Sequence, residues 1–229
     1  MDGRPEHFRL CGINNQNFLM MDDRTGSWWQ QVSGMAVQGP LKGEKLDAVF
    51  YEELTFGTWK QENPDGRVLI PETETKNKNR YASADWEKEI AKLPVTSAFF
   101  KKGAIPGRTI VIGVLINGLA KAYPQSIFSP LAPLNDVIGK TPIVLLVDRD
   151  GRSIRCFISR AGDTRLELFA KPGTMPHWFD SETGSEWDFS GEAISGKWKG
   201  TKLEKVPVLK DYWFDWKTHH PQTSIYSPK

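Results

Sequence analysis

Cysteine is almost missing from this chain: 229 residues contain only Cys11 and Cys156, and neither belongs to a CxxC pair or a zinc-ligand pattern. Either one disulfide or two buried strand thiols fits that count. No apolar run approaches the roughly 18 to 20 residues that span a bilayer. The first 20 residues, MDGRPEHFRLCGINNQNFLM, also lack the apolar stretch of a secretory signal. Charge of one sign is lacking too, since 30 Lys and Arg face 28 Asp and Glu for a net +2. Such a balance gives no global field for nucleic acid or an anionic membrane. The chain contains no GxSxG elbow, Walker loop, GxGxxG or HExxH, so the usual nucleophile, nucleotide and zincin signatures are missing.

What is present is a globular composition, 39% hydrophobic and 25% charged, and an internal repeat. From Asp22 the chain reads DDRTGSWWQQVSGMAVQGPLKGEKL, and from Asp180 it reads DSETGSEWDFSGEAISGKWKGTKL. Thr25, Gly26, Ser27 and Trp29 fall on Thr183, Gly184, Ser185 and Trp187 at a spacing of 158. After one deletion the spacing is 157, and Gly34, Ala36, Gly39, Lys42, Gly43, Lys45 and Leu46 map onto Gly191, Ala193, Gly196, Lys199, Gly200, Lys202 and Leu203. The same register places Trp59, Lys60 and Pro64 on Trp216, Lys217 and Pro221.

Each copy reads as a hairpin around ThrGlySer, where Asp and Ser accept turn hydrogen bonds and Gly supplies positive φ. A second Gly-tipped turn follows, then a short helix around Glu52 to Glu62 or Lys210 to His219, stopped by Pro64 or Pro221. Strands at 68–70 and 224–226 close the units. The polar stretch 71–82 reads as a linker, and a helix from Ala84 to Leu93 has Ser83 as its N-cap. Segments 108–116 and 119–123 meet across Asn117 and Gly118, and 143–147 meets 153–158 around Asp150 and Gly151; both are hairpin signals. The expected fold is β-rich α+β, with antiparallel hairpins and short helices, divided into a partial first copy with its linker (1–94) and a complete copy (95–229) forming one unit.

The segments VIGVLINGLAKAYP, LNDVIGKTPIVL, FDSETGSEW, SGEAISGKWKGTKL and WKTHHPQT occur in that order. In this combination the chain resembles the prokaryotic family known as domain of unknown function 3179, as a whole domain over about 95–229 and as its second half over 8–70. The resemblance implies kinship without an activity. It also implies a CysProLeuCys pair after the GlyLysThrPro-like strand. Here that stretch is LLVDRDGRS, with Asp148 and Gly151 near those positions.

Two function classes follow. The first is a non-catalytic module that binds a small molecule or protein, with Trp198 between Lys197 and Lys199 as its candidate ligand contact. The second is a hydrolase-like enzyme built on Asp180, His177 and Ser185, although residues three apart on a strand face opposite ways. A metal or redox protein is the third and weakest reading, because the family cysteine pair is absent. His219 and His220, at a helix end, are set against both a metal role and a favourable interaction with the helix dipole. No cofactor is implied. Trp59 and Trp216 are expected to be buried against their own copy's sheet. About 50 residues that precede Asp180 have no counterpart before Asp22. Residues 8–70 should therefore pack on the complete copy about an approximate two-fold axis, with Phe8 and Leu10 in a shared core, unless the true start lies upstream.

Overall fold

The computed structural model describes residues 5–14, 16–69, 85–96, 103–171 and 177–228. Strands β1 (Phe8–Asn14), β2 (Asn17–Asp22), β3 (Trp28–Gln30) and β4 (Ala36–Gln38) form an antiparallel meander in that order. Helix α1 (Phe56–Glu62) follows, capped by the Thr55 side chain, which accepts from Thr58 N–H. Helix α2 (Trp86–Lys92) begins after Asp85, while the expected cap Ser83 and the linker 71–82 lie outside the described residues.

Strands β5 (Ile110–Ile116) and β6 (Leu119–Pro124) pair through the Asn117-Gly118 turn, where both residues have positive φ. Strands β7 (Leu134–Ile138), β8 (Thr141–Val147) and β9 (Ile154–Ile158) form the second antiparallel set. A two-rung hairpin, β10 (Arg160–Ala161) and β11 (Thr164–Arg165), leads into a second four-stranded meander: β12 (Leu168–Ala170), β13 (Trp178–Asp180), β14 (Glu186–Trp187) and β15 (Ala193–Ser195). Finally β16 (Lys205–Val206) joins β9, β17 (Val208–Tyr212) joins β5, and β18 (Ser224–Ile225) runs parallel to β6 after α3 (Trp213–His219).

Strand β8 explains the layering. It is apolar at almost every position, so both faces must be covered. Val144 and Leu146 meet Leu168, Trp178 and Trp187 of the β12–β15 meander in one core. Ile143, Leu145 and Val147 meet Ile112, Val114 and Tyr123 of β5 and β6 in another. The far side of β5–β6 is closed by α3, whose Trp213 and Trp216 pack on Val111 and Ala122. Three sheets, antiparallel except where β18 joins β6, are thus stacked with α3 on the outer face of β5–β6.

Several expectations change. Val68 and Leu69 form no strand, since no strand among the described residues pairs with them and Leu69 is 93% exposed; Ile70, the last residue of that expected strand, lies outside the described residues. Lys210 lies in β17, since the β5 ladder claims that segment up to Tyr212. Trp216 is buried, but Trp59 is only half-buried and α1 docks on the second half of the chain, not on β1–β4. Phe8 and Leu10 are 38% and 58% exposed, so they do not enter a shared core. The first meander reaches the rest through its other face, where Gln30 bonds His219 and Asn17 bonds Asp215 of α3.

Candidate functional site

The repeated turns are built alike. Asp22 accepts from Thr25 N–H and hydroxyl and from Trp29 Nε1 at 2.8 Å; Asp180 accepts from Thr183 and from Trp187 Nε1 at 2.9 Å. Ser27 and Ser185 each share a 2.7 Å hydrogen bond with that threonine and accept the N–H of Leu41 or Trp198. Burial pushes the Asp22 carboxyl up, but the donors Trp29, Thr25 and Ser27 outweigh it and hold it below the usual carboxylate range. Every polar atom of Asp180 and Ser185 is thereby committed inside a buried turn.

His177 stands apart from them. Its Nδ1 lies 2.6 Å from Glu186, which also accepts from Ser195, and among the described residues no hydrogen bond joins it to Asp180 or Ser185. Trp198 packs against the core beneath its hairpin, with Lys197 5.1 Å over its ring and both flanking lysines exposed. His219 faces Gln30 and Asp215, while His220 stacks on Trp216 at 4.0 Å. Burial, then the neighbouring His219, lowers the His220 pKa. Among the described residues no group of three His, Cys, Asp or Glu converges as metal ligands.

Two grooves lie on the two sides of α1, and a smaller hollow of about 430 Å³ lies beside His219 and His220. One groove, about 700 Å³, is lined by Phe50, Tyr51, Phe56, Trp59 and Arg67. Residues i and i+3 share a helix face, so Phe56 and Trp59 stack with ring centroids 5.8 Å apart. The Trp59 ring lies on the bare Cα of Gly66, where a methyl group would come within 2.6 Å of it. The second groove, about 590 Å³, is polar and includes Thr58, Gln61, Asp148, Arg155, His177 and Ser190. The two meet at Glu52, Glu62 and Asn63, which line both.

Arg155 anchors this arrangement. It projects from β9, its side chain is 4% exposed, and both neighbours in the strand are buried. Such a guanidinium needs carboxylates, and two grip it bidentately: Glu62 at 2.6 and 2.7 Å and Glu52 at 2.7 and 3.1 Å. The Phe189 ring lies 4.5 Å away, and Lys205 bonds Glu52 at 2.9 Å. Burial favours the neutral form of Arg155, but Glu62 and Glu52 overcome it and hold the guanidinium charged. Burial likewise pushes Glu52 up, and its bonds to Arg155 and Lys205 bring it below the usual range.

The helix itself is pinned by the β8–β9 turn. Thr58 donates to Asp148 at 2.8 Å, and Thr55 donates to Asp150 at 2.6 Å. Burial raises Asp150, but Ser153, Thr55 and the turn N–H groups outweigh it and hold the carboxyl far below its ordinary value. The family described as "Protein of unknown function (DUF3179)" matches residues 5–223. The chain belongs to that DUF3179 family. No curated protein and no solved structure matches it. In this DUF3179 chain Asp148 and Asp150 are both contacts between the β8–β9 turn and α1.

None of the site residues expected from the sequence except His177 lies here, and the one visible signal of the site in the sequence is Arg155, a charge flanked by Ile154 and Cys156 in a strand otherwise apolar enough to be buried.

Proposed function

We propose that this DUF3179 chain is a non-catalytic binding module, built as one unit from a partial and a complete copy of a repeat, whose ligand lies in the trough flanking α1. The observation that carries the reading is the meeting of an aromatic groove with a polar one at Glu52, Glu62 and Asn63. Sites of this size, apolar on one side with a few fixed polar groups, suit small molecules. The polar groups are preorganised, because Arg155 holds both carboxylates. This moves the ligand contact from Trp198, Lys197 and Lys199, which line neither groove, to Phe56 and Trp59.

Acid–base chemistry is the second reading, favoured by His177 on the rim of the polar groove with Glu186 at 2.6 Å to orient it. Native mass spectrometry of the protein purified from its own host tests the first reading. A small-molecule adduct on the wild type that is lost from Trp59→Ala supports it. Protein free of any adduct, or an adduct that Trp59→Ala leaves in place, counts against it.

A further inference from the structure

We infer that the trough takes a neutral oligosaccharide, an inference that rests on reading the two grooves as a ligand site. Phe56 and Trp59 stack on each other, and Phe56, which is 64% exposed, leaves an aromatic face open to solvent. An aromatic face of this kind matches the C–H face of a pyranose ring, which is apolar although its rim carries hydroxyls. Across α1 the wall turns to hydroxyl, amide and carboxylate groups: Thr58, Gln61, Asn63, Ser190, Asp148 and Asp188. Sugar hydroxyls donate and accept at once, so a wall mixing both functions suits them better than a wall of one kind.

Charge argues against an anion. Glu52, Glu62, Asp148 and Asp188 outnumber Arg155, Lys205 and Arg67 along the two grooves. The guanidinium of Arg155 is already taken by two carboxylates and the ammonium of Lys205 by one. A phosphate or uronate would compete with carboxylates already in place. An extended peptide would need a row of free backbone donors and acceptors, as a strand edge offers, and the wall here is a helix. The two grooves, about 700 and 590 Å³, share Glu52, Glu62 and Asn63, and each has more room than a single sugar ring fills.

Isothermal titration of the full chain tests this with cello-, xylo-, manno-, malto- and chito-hexasaccharides to about 10 mM, beside oligogalacturonate, benzylammonium and benzoate. At least one neutral hexasaccharide should bind, weakened about tenfold or more by Phe56→Ala and by Trp59→Ala and less than about twofold by Trp86→Ala, which lies outside the trough. Phe56 is largely exposed, so its variant keeps the test valid should Trp59→Ala fail to fold. Binding of oligogalacturonate in preference to every neutral sugar overturns the inference. If no sugar binds but benzylammonium or benzoate binds and Phe56→Ala weakens it, the sugar class is wrong and the trough remains a site. If no probe binds, both the inference and the reading beneath it fall.

Discussion

Gly196 has no room for a methyl group. Its φ is +83°, and an added Cβ would lie 2.6 Å from the Cα of Ser185; Gly39, at +94°, stands in the same relation to Ser27. The recurrence of these glycines and of the Asp-x-x-Thr-Gly-Ser turns therefore has a structural cause. Ser185→Ala should lower stability by about 0.5–2 kcal/mol, as a lost turn hydrogen bond does. Asp180→Ala should cost more, about 2–4 kcal/mol, because it leaves the buried Trp187 indole N–H without an acceptor. Urea denaturation measures both. Equal costs, or no loss at Asp180, would mean the turn is not held as described. Arg155 makes the sharper case. Its replacement by Ala uncovers two carboxylates, and the expected loss is about 3–5 kcal/mol.

Helices α1 and α3 carry the same Trp-Lys and Pro signals and end alike. Asn63 N–H bonds Trp59 carbonyl at 2.9 Å, His220 N–H bonds Trp216 carbonyl at 2.8 Å, and Lys60 and Lys217 reach the carbonyls of Pro64 and Pro221. Their beds differ. Trp216 lies on Gly113 of β5, where a methyl group would come within 2.2 Å of the ring, and donates to Thr223; Trp59 lies on Gly66 and opens into a groove. The C-terminal ends at Glu62 and His219 were legible because the prolines that follow are local, whereas the starts, at Phe56 and Trp213 and not at Glu52 and Lys210, and the bed depend on which strand arrives from elsewhere. The Asn117-Gly118 and Asp150-Gly151 hairpins were legible for the same local reason. Helix α1 should depend on the β8–β9 turn. Thr58→Val removes the bond to Asp148 and should raise hydrogen exchange over residues 55–63 by about tenfold, equivalent to about 1.4 kcal/mol, while β5–β6 amides stay unchanged. A uniform rise across both regions would contradict local docking.

Across the whole molecule the two halves meet at α1 and again at α3, and the second contact carries a pH dependence. Asp211 Oδ2 is buried with no donor among the described residues, and its neighbour is the Asp215 carboxylate, which also receives Asn17. Burial first, then the charge of Asp215, pushes the Asp211 carboxyl up to about 8 from an ordinary 3.8. The folded state therefore holds a proton that the unfolded state releases. Its contribution is complete below the unfolded value and is lost as pH rises through about 8. Asp22, Glu52 and Asp150 are shifted downward and act oppositely, losing their contribution as pH falls below the ordinary carboxylate range. Thermal denaturation should show stability falling between about pH 5 and about pH 8, and Asp211→Asn should flatten that slope. An unchanged slope would mean that folded Asp211 does not hold this proton.

The sheet content and both strong hairpins followed from sequence, since periodicity and turn glycines act over a few residues. The trough did not, because Glu52 and Glu62 reach Arg155 across about 100 residues, and such a pairing leaves no local trace. Chemical-shift mapping of a mixed fragment library on the isotope-labelled chain tests the central claim most directly. Perturbations should cluster on residues 50–63 and on Asp148, Arg155 and Ser190. Clustering instead at Lys197–Lys199 or in the cavity of about 430 Å³ beside His219 and His220 would contradict it.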